Sequence, residues 1–171
     1  MTSLLTRLQS YREEVVTGAF TAAVCVLLGA PVGFLWSALA PHAKVVITSD
    51  SPIPNYAEGL TEDLIAADGW FAGVVLVAGL LTGVLAWWLA RGSGPFVVVA
   101  LAVGGLLAAL AAAKVGMLPG QAALQAAADA GRPGNFVANV NLQTNLAIVL
   151  WPVGALASFL TLVLSRPDEV H

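Results

Sequence analysis

Apolar positions in this chain come in long unbroken runs rather than in short alternations. Four stretches carry no charged side chain: 15–43, 69–90, 92–113 and 133–165. A helix crosses the hydrocarbon of a bilayer with about 20 apolar residues at about 1.5 Å each. The pattern therefore predicts helices over about 15–40, 69–90, 95–116 and 146–165. The fourth run opens with Asn135, Asn139, Asn141, Gln143 and Asn145. Those amides cannot sit unpaired in hydrocarbon, so the span is placed after them. The fold class expected is an all-α membrane protein, one integral domain over 1–171, with four transmembrane helices in a compact bundle.

The connections at 41–68 and 117–145 are too long to be bare turns. The first opens with Lys44-Val45-Val46-Ile47-Thr48, a β-branched strand signal. Asp50, Ser51, Pro52, Pro54 and Asn55 should break it, and 57–67 reads as a short surface helix with Leu60, Leu64 and Ile65 on one side. The second connection starts with an alanine-rich helix over 119–130, stopped by Gly131 and Pro133. Asn139, Asn141, Gln143 and Asn145 then alternate with Val140, Leu142 and Leu146. Period two suits a strand with one wet face. Two strands, one per connection, would pair as a small extracytoplasmic β/helix cap. The alternative is that 139–145 continue the fourth helix, stacking Asn141 and Asn145 at i, i+4.

Composition agrees with burial in lipid. Of 171 residues 58% are hydrophobic and 10% charged, and the mean hydropathy is +0.86. A soluble domain carries roughly a quarter charged residues. The balance excludes a conventional cytosolic enzyme and a disordered chain, and a net charge of −3 without a basic cluster excludes nucleic acid as a partner. The lone Cys25, inside an apolar run, leaves no intrachain disulfide and no CxxC pair, and reads as a small buried hydrophobe.

Ala38-Leu39-Ala40 imitates a signal-peptide cleavage site, but Pro41 follows and the apolar run is too long for a signal core, so an uncleaved anchor is expected. With the N-terminus inside, Arg7, Arg12, Arg91 and Arg166 face the cytoplasm, and Lys44, Lys114 and Arg132 lie outside. This bias, the N-terminal pair and the short 91–94 hairpin place both termini in the cytoplasm of a plasma-membrane protein.

Small residues recur at four-residue spacing in every span: Gly29 and Gly33, Gly69 and Gly73, Gly79 and Gly83, Gly105 and Ala109, Gly154 and Ser158. That spacing lets helix backbones approach closely, and Gly29, Gly33, Gly79, Gly83, Gly105 and Gly154 are the candidate helix-packing positions. Pro31 and Pro152 should kink the first and fourth helices. Trp36, Trp70, Trp87, Trp88 and Trp151 fall near span ends, as interfacial belt residues do. Gly18-Ala19-Phe20 and Gly94-Pro95-Phe96 open the first and third spans and suggest a faint internal repeat.

Chemistry is sparse. No Asp, Glu, Lys, Arg or His lies in mid-span, where ion-coupled transport usually keeps one. Small multidrug exporters also have four helices but depend on a glutamate inside the first, which this chain lacks. Asp68 and Lys114, with Asn141 and Asn145, form a candidate polar site at the outer rim. The plainer reading is that Asp68 caps the second helix and Lys114 snorkels. His42 and His171 are isolated, and no HExxH, GxSxG, P-loop or GxGxxG occurs. No catalytic residue, metal site or cofactor is expected, nor enzymatic activity.

Ala67-Asp68-Gly69-Trp70-Phe71, leading into the second span, and Leu150-Trp151-Pro152 in the fourth resemble a family of small actinobacterial membrane proteins known as a domain of unknown function. The resemblance implies a multi-pass plasma-membrane protein and supplies no catalytic residue. The expected partners are the lipid bilayer and another membrane protein or a second copy of the chain. The reading is a non-enzymatic envelope accessory or assembly subunit. The alternative is a small transporter or channel for an apolar or lipid-like solute.

Overall fold

A computed structural model describes residues 2–41, 44–48, 51–56, 60–89, 95–129, 134–137 and 145–165. Four α-helices dominate: α1 (Thr2–Leu39), α2 (Leu60–Leu89), α3 (Phe96–Asp129) and α4 (Leu150–Leu164). Each contains a stretch long and apolar enough to cross a membrane: Tyr11–Leu39, Ile65–Leu89, Phe96–Pro119 and Leu146–Leu164. The apolar residues run all the way round these helices, which suits hydrocarbon outside as well as protein inside. Leu27, Leu81 and Leu164 point outward, each more than half exposed.

α1, α2 and α3 outrun the predicted spans, and α4 does not. Between Thr2 and Thr17 no glycine or proline interrupts the chain, so α1 begins well before its apolar run. Of the expected surface helix over 57–67, the described residues 60–67 are instead the opening of α2, where Glu62 and Asp63 occupy the first turn, the favourable end of the helix dipole. Of the expected separate helix over 119–130, the described residues 119–129 are the continuation of α3, which passes through Pro119 without ending.

Pro31 lies inside the continuous α1. Pro152 stands in the first turn of α4, just after a 3-10 turn over Asn145–Val149, where its missing N–H removes little. It therefore opens the regular helix rather than interrupting it.

Three short strands form a sheet: β1 (Lys44–Thr48), β2 (Ser51–Tyr56) and β3 (Gly134–Val137), in the order β2-β1-β3. Both pairings are antiparallel. Val45 faces Tyr56 on one side and Phe136 on the other, and the β1–β2 register shifts between Val46 and Thr48. The predicted break at Ser51–Asn55 is thus a strand after all. Pro52 and Pro54 fit because β2 is an edge strand, where a proline withholds no ladder bond. The second cap strand forms earlier than the alternation suggested, at Gly134–Val137. Of the segment 139–145, only Asn145 is among the described residues, and it opens the 3-10 turn.

Candidate functional site

Helix packing rests on glycines placed against backbone. A Cβ added at Gly29 would stand 2.5 Å from the Ala108 carbonyl oxygen and 2.9 Å from Ala111 Cβ. Four residues on, Gly33 lies against Ala112, and Gly116 answers from α3 by lying against the Trp36 indole. Gly79 lies against the Trp151 carbonyl, and Gly83 against Ala155 and Ser158. At Gly154 an added Cβ would be 3.0 Å from the Leu76 oxygen, and at Gly105 3.1 Å from Pro152 Cα. All six candidate packing glycines therefore sit at crossings within this chain. Gly18, Gly104 and Gly116 also sit at such crossings. Sequence reasoning passed over these three although each has a small residue four positions on, Ala22, Ala108 and Gly120.

Two tryptophans lock the bundle. Trp36 is fully buried, donates its indole N–H to the Ala67 carbonyl at 3.0 Å and meets Phe71 edge-on at 4.8 Å. Trp151 is equally buried and donates to Thr82 Oγ1 at 3.3 Å, while Thr82 donates to the Gly79 carbonyl at 2.8 Å. These two are interior anchors, not belt residues. An indole with its polar N–H satisfied can be buried completely. Trp70 and Trp88 are exposed.

Close packing joins α1 to α3 and α2 to α4. The seam between α1 and α2 stays open and holds two spaces. Toward the sheet lies an apolar groove of about 680 Å³, walled by Val32, Leu35, Trp70 and Val77 and floored by Gly69 and Gly73. An added Cβ at either glycine would meet nothing within 4 Å, unlike at every other glycine of the four spans. Toward the other end of the seam lies a cavity of about 200 Å³ that Thr17, Thr21, Cys25 and Thr82 help to line. Cys25 is a buried free thiol.

The candidate rim site is only partly visible. Asp68 is half-buried, and Lys114 is exposed on α3. Because α2 starts at Leu60, Asp68 lies two turns inside the helix and does not cap it. Asn141 lies outside the described residues, and Asn145 opens the 3-10 turn. Among the described residues no three His, Cys, Asp or Glu side chains gather as a metal site would require.

The architecture defines a class: a bundle of four helices fit to span a membrane, carrying a small antiparallel sheet on its connections. Within that class the chain belongs to the family described as Protein of unknown function (DUF2567), whose model matches residues 25–129. The match contains Ala67–Phe71 and the whole groove, and it ends before α4. An uncharacterized protein of Mycobacterium leprae (strain TN) is 36% identical over 93 residues, covering 53% of this chain and 47% of that protein. The match thus spans about half the length of the relative. No solved structure matches the chain.

Proposed function

We propose that this is a multi-pass plasma-membrane protein with both termini cytoplasmic. In this reading it is a non-enzymatic envelope accessory or assembly subunit that holds a membrane partner. One observation carries the proposal. Every span glycine except Gly69 and Gly73 is already met by other atoms of this chain, while these two floor an apolar groove. Helices in lipid associate by close backbone approach rather than by hydrophobic force, and glycines at i, i+4 permit it. The groove suits an apolar helix of another membrane protein. The orientation is supported by Arg7, Arg12, Arg91 and Arg166 on the inner side against Lys44, Lys114 and Arg132.

The test is copurification in mild detergent of the tagged chain and its Gly73→Leu variant. The added side chain enters open space, so the variant should fold as the parent does and lose the partner. Recovery of the parent as a bare monomer would sink the proposal, as would a partner retained by the variant. A second reading, a small transporter or channel for an apolar or lipid-like solute, is favoured by the seam being open along both its halves. Solute flux in liposomes that equals the protein-free rate would remove it.

A further inference from the structure

The cavity beside the middle of α1 differs from the groove in its chemistry. Thr17, Thr21 and Cys25 succeed one another at four-residue spacing on α1, so they line one stripe of its wall, and Thr82 faces them from α2. Every threonine proton is already committed. Thr17 Oγ1 donates to the Glu13 carbonyl at 2.9 Å, Thr21 Oγ1 to the Thr17 carbonyl at 2.8 Å, and Thr82 Oγ1 to the Gly79 carbonyl at 2.8 Å. Thr82 also accepts from Trp151. What Thr17 and Thr21 still offer is acceptor capacity, since a hydroxyl oxygen has two lone pairs. Phe20 and Leu85 contribute apolar wall. An apolar cavity of about 150 Å³ holds benzene, and this one, about 200 Å³, has room for slightly more.

We propose that this cavity is a binding site for a small, largely apolar molecule bearing one hydroxyl donor, a monohydric alcohol or phenol, whose O–H is accepted by Thr17 or Thr21. The site is separate from the Gly69/Gly73 groove and stands whichever role the protein has. A molecule without a donor would fill the same space but gain no hydrogen bond, and in a low-dielectric wall that bond is strengthened.

The experiment uses the full chain in nanodiscs with two photoprobes small enough for the cavity, a diazirine-bearing 1-butanol and the matching diazirine-bearing butane. Adducts are mapped by mass spectrometry. The alcohol should label residues 17–25 and 82–89 about fivefold more than the hydrocarbon, the factor one net hydrogen bond of ordinary strength supplies. Thr17→Val with Thr21→Val should bring the alcohol down to the hydrocarbon level, and Thr17→Ser with Thr21→Ser should restore it. Equal labelling by the two probes, adducts spread evenly over the outer faces of the helices, or a valine pair that labels like the parent would each overturn the proposal.

Discussion

Replacing Gly29 with alanine should force α1 away from α3, whereas the same change at Gly73 should leave the bundle intact. At Gly29 the new Cβ would stand 2.5 Å from the Ala108 oxygen, against an ordinary contact that begins at 3.4 Å. That oxygen belongs to helix backbone and cannot swing aside. The two helices must therefore part by roughly 0.9 Å at this crossing, and a gap of that size forfeits a quarter to a half of the dispersion well for the atom pairs across it. In lipid no hydrophobic force compensates, because the tails are as apolar as leucine. Overpacking of this kind costs about 1–3 kcal/mol. At Gly73 the Cβ meets nothing within 4 Å, and alanine is the better helix former by about 0.5–1 kcal/mol. Reversible unfolding of both variants in mixed micelles, titrated with SDS and followed by helical circular dichroism, measures the difference. Gly29→Ala should fall by about 1–3 kcal/mol while Gly73→Ala holds level or rises. A Gly29→Ala variant as stable as the parent, or equal losses at both sites, would refute the close-approach account of α1 on α3.

Trp36→Phe keeps a ring against Phe71 but removes the N–H donated to Ala67. The same titration should show a loss of about 1–2 kcal/mol from the hydrogen bond and the vacated indole volume. A double-mutant cycle of Trp151→Phe and Thr82→Val should give a coupling of about 0.6 kcal/mol, as interhelical bonds in membrane proteins do; additive losses would mean that the 3.3 Å contact carries no energy. In a Cys25→Ala background, Val45→Cys with Phe136→Cys should form a disulfide on mild oxidation, because directly opposed antiparallel residues have Cα atoms about 4.5–5.5 Å apart. A pair displaced along the strands, Lys44→Cys with Gly134→Cys, should stay reduced, and crosslinking of the displaced pair instead would disprove the register.

The four spans were legible because charge is expensive in hydrocarbon, so a run without Asp, Glu, Lys or Arg marks them directly. Where helices end is a different question, decided by breakers rather than by hydropathy. Thr2–Thr17 contains none, and α1 accordingly starts earlier than its apolar run. The same error put Asp68 at a helix start, when Glu62 and Asp63 hold the first turn of α2. The sheet was half legible. β-branched Lys44–Thr48 announced itself, but Pro52 and Pro54 read as breakers until β2 is known to be an edge. Tryptophan position was the least informative signal. Nearness to a span end suggested a belt for Trp36 and Trp151, and only the placement of Ala67 and Thr82 across from them reveals why both are buried.

The glycine spacing named the crossings without naming the partners, and the partners explain the open seam. Gly29 meets Ala108 and Gly33 meets Ala112, so α1 and α3 advance together and run parallel. Gly79 meets Trp151 and Gly83 meets Ala155, so α2 and α4 do the same. Each tight pair thus takes one helix from each half of the chain, the arrangement that a repeat opening at Gly18-Ala19-Phe20 and again at Gly94-Pro95-Phe96 would generate. Within the second half, Gly105 against Pro152 joins α3 to α4. Within the first half, Trp36 ties α1 to α2 near Ala67 and Phe71, and the rest of the seam is left to the groove and the cavity. Both tight pairs survive if that seam widens, because neither contains it. Stability and the capacity to take up a partner in the groove therefore rest on different glycines, and a substitution at Gly73 can abolish the second without touching the first.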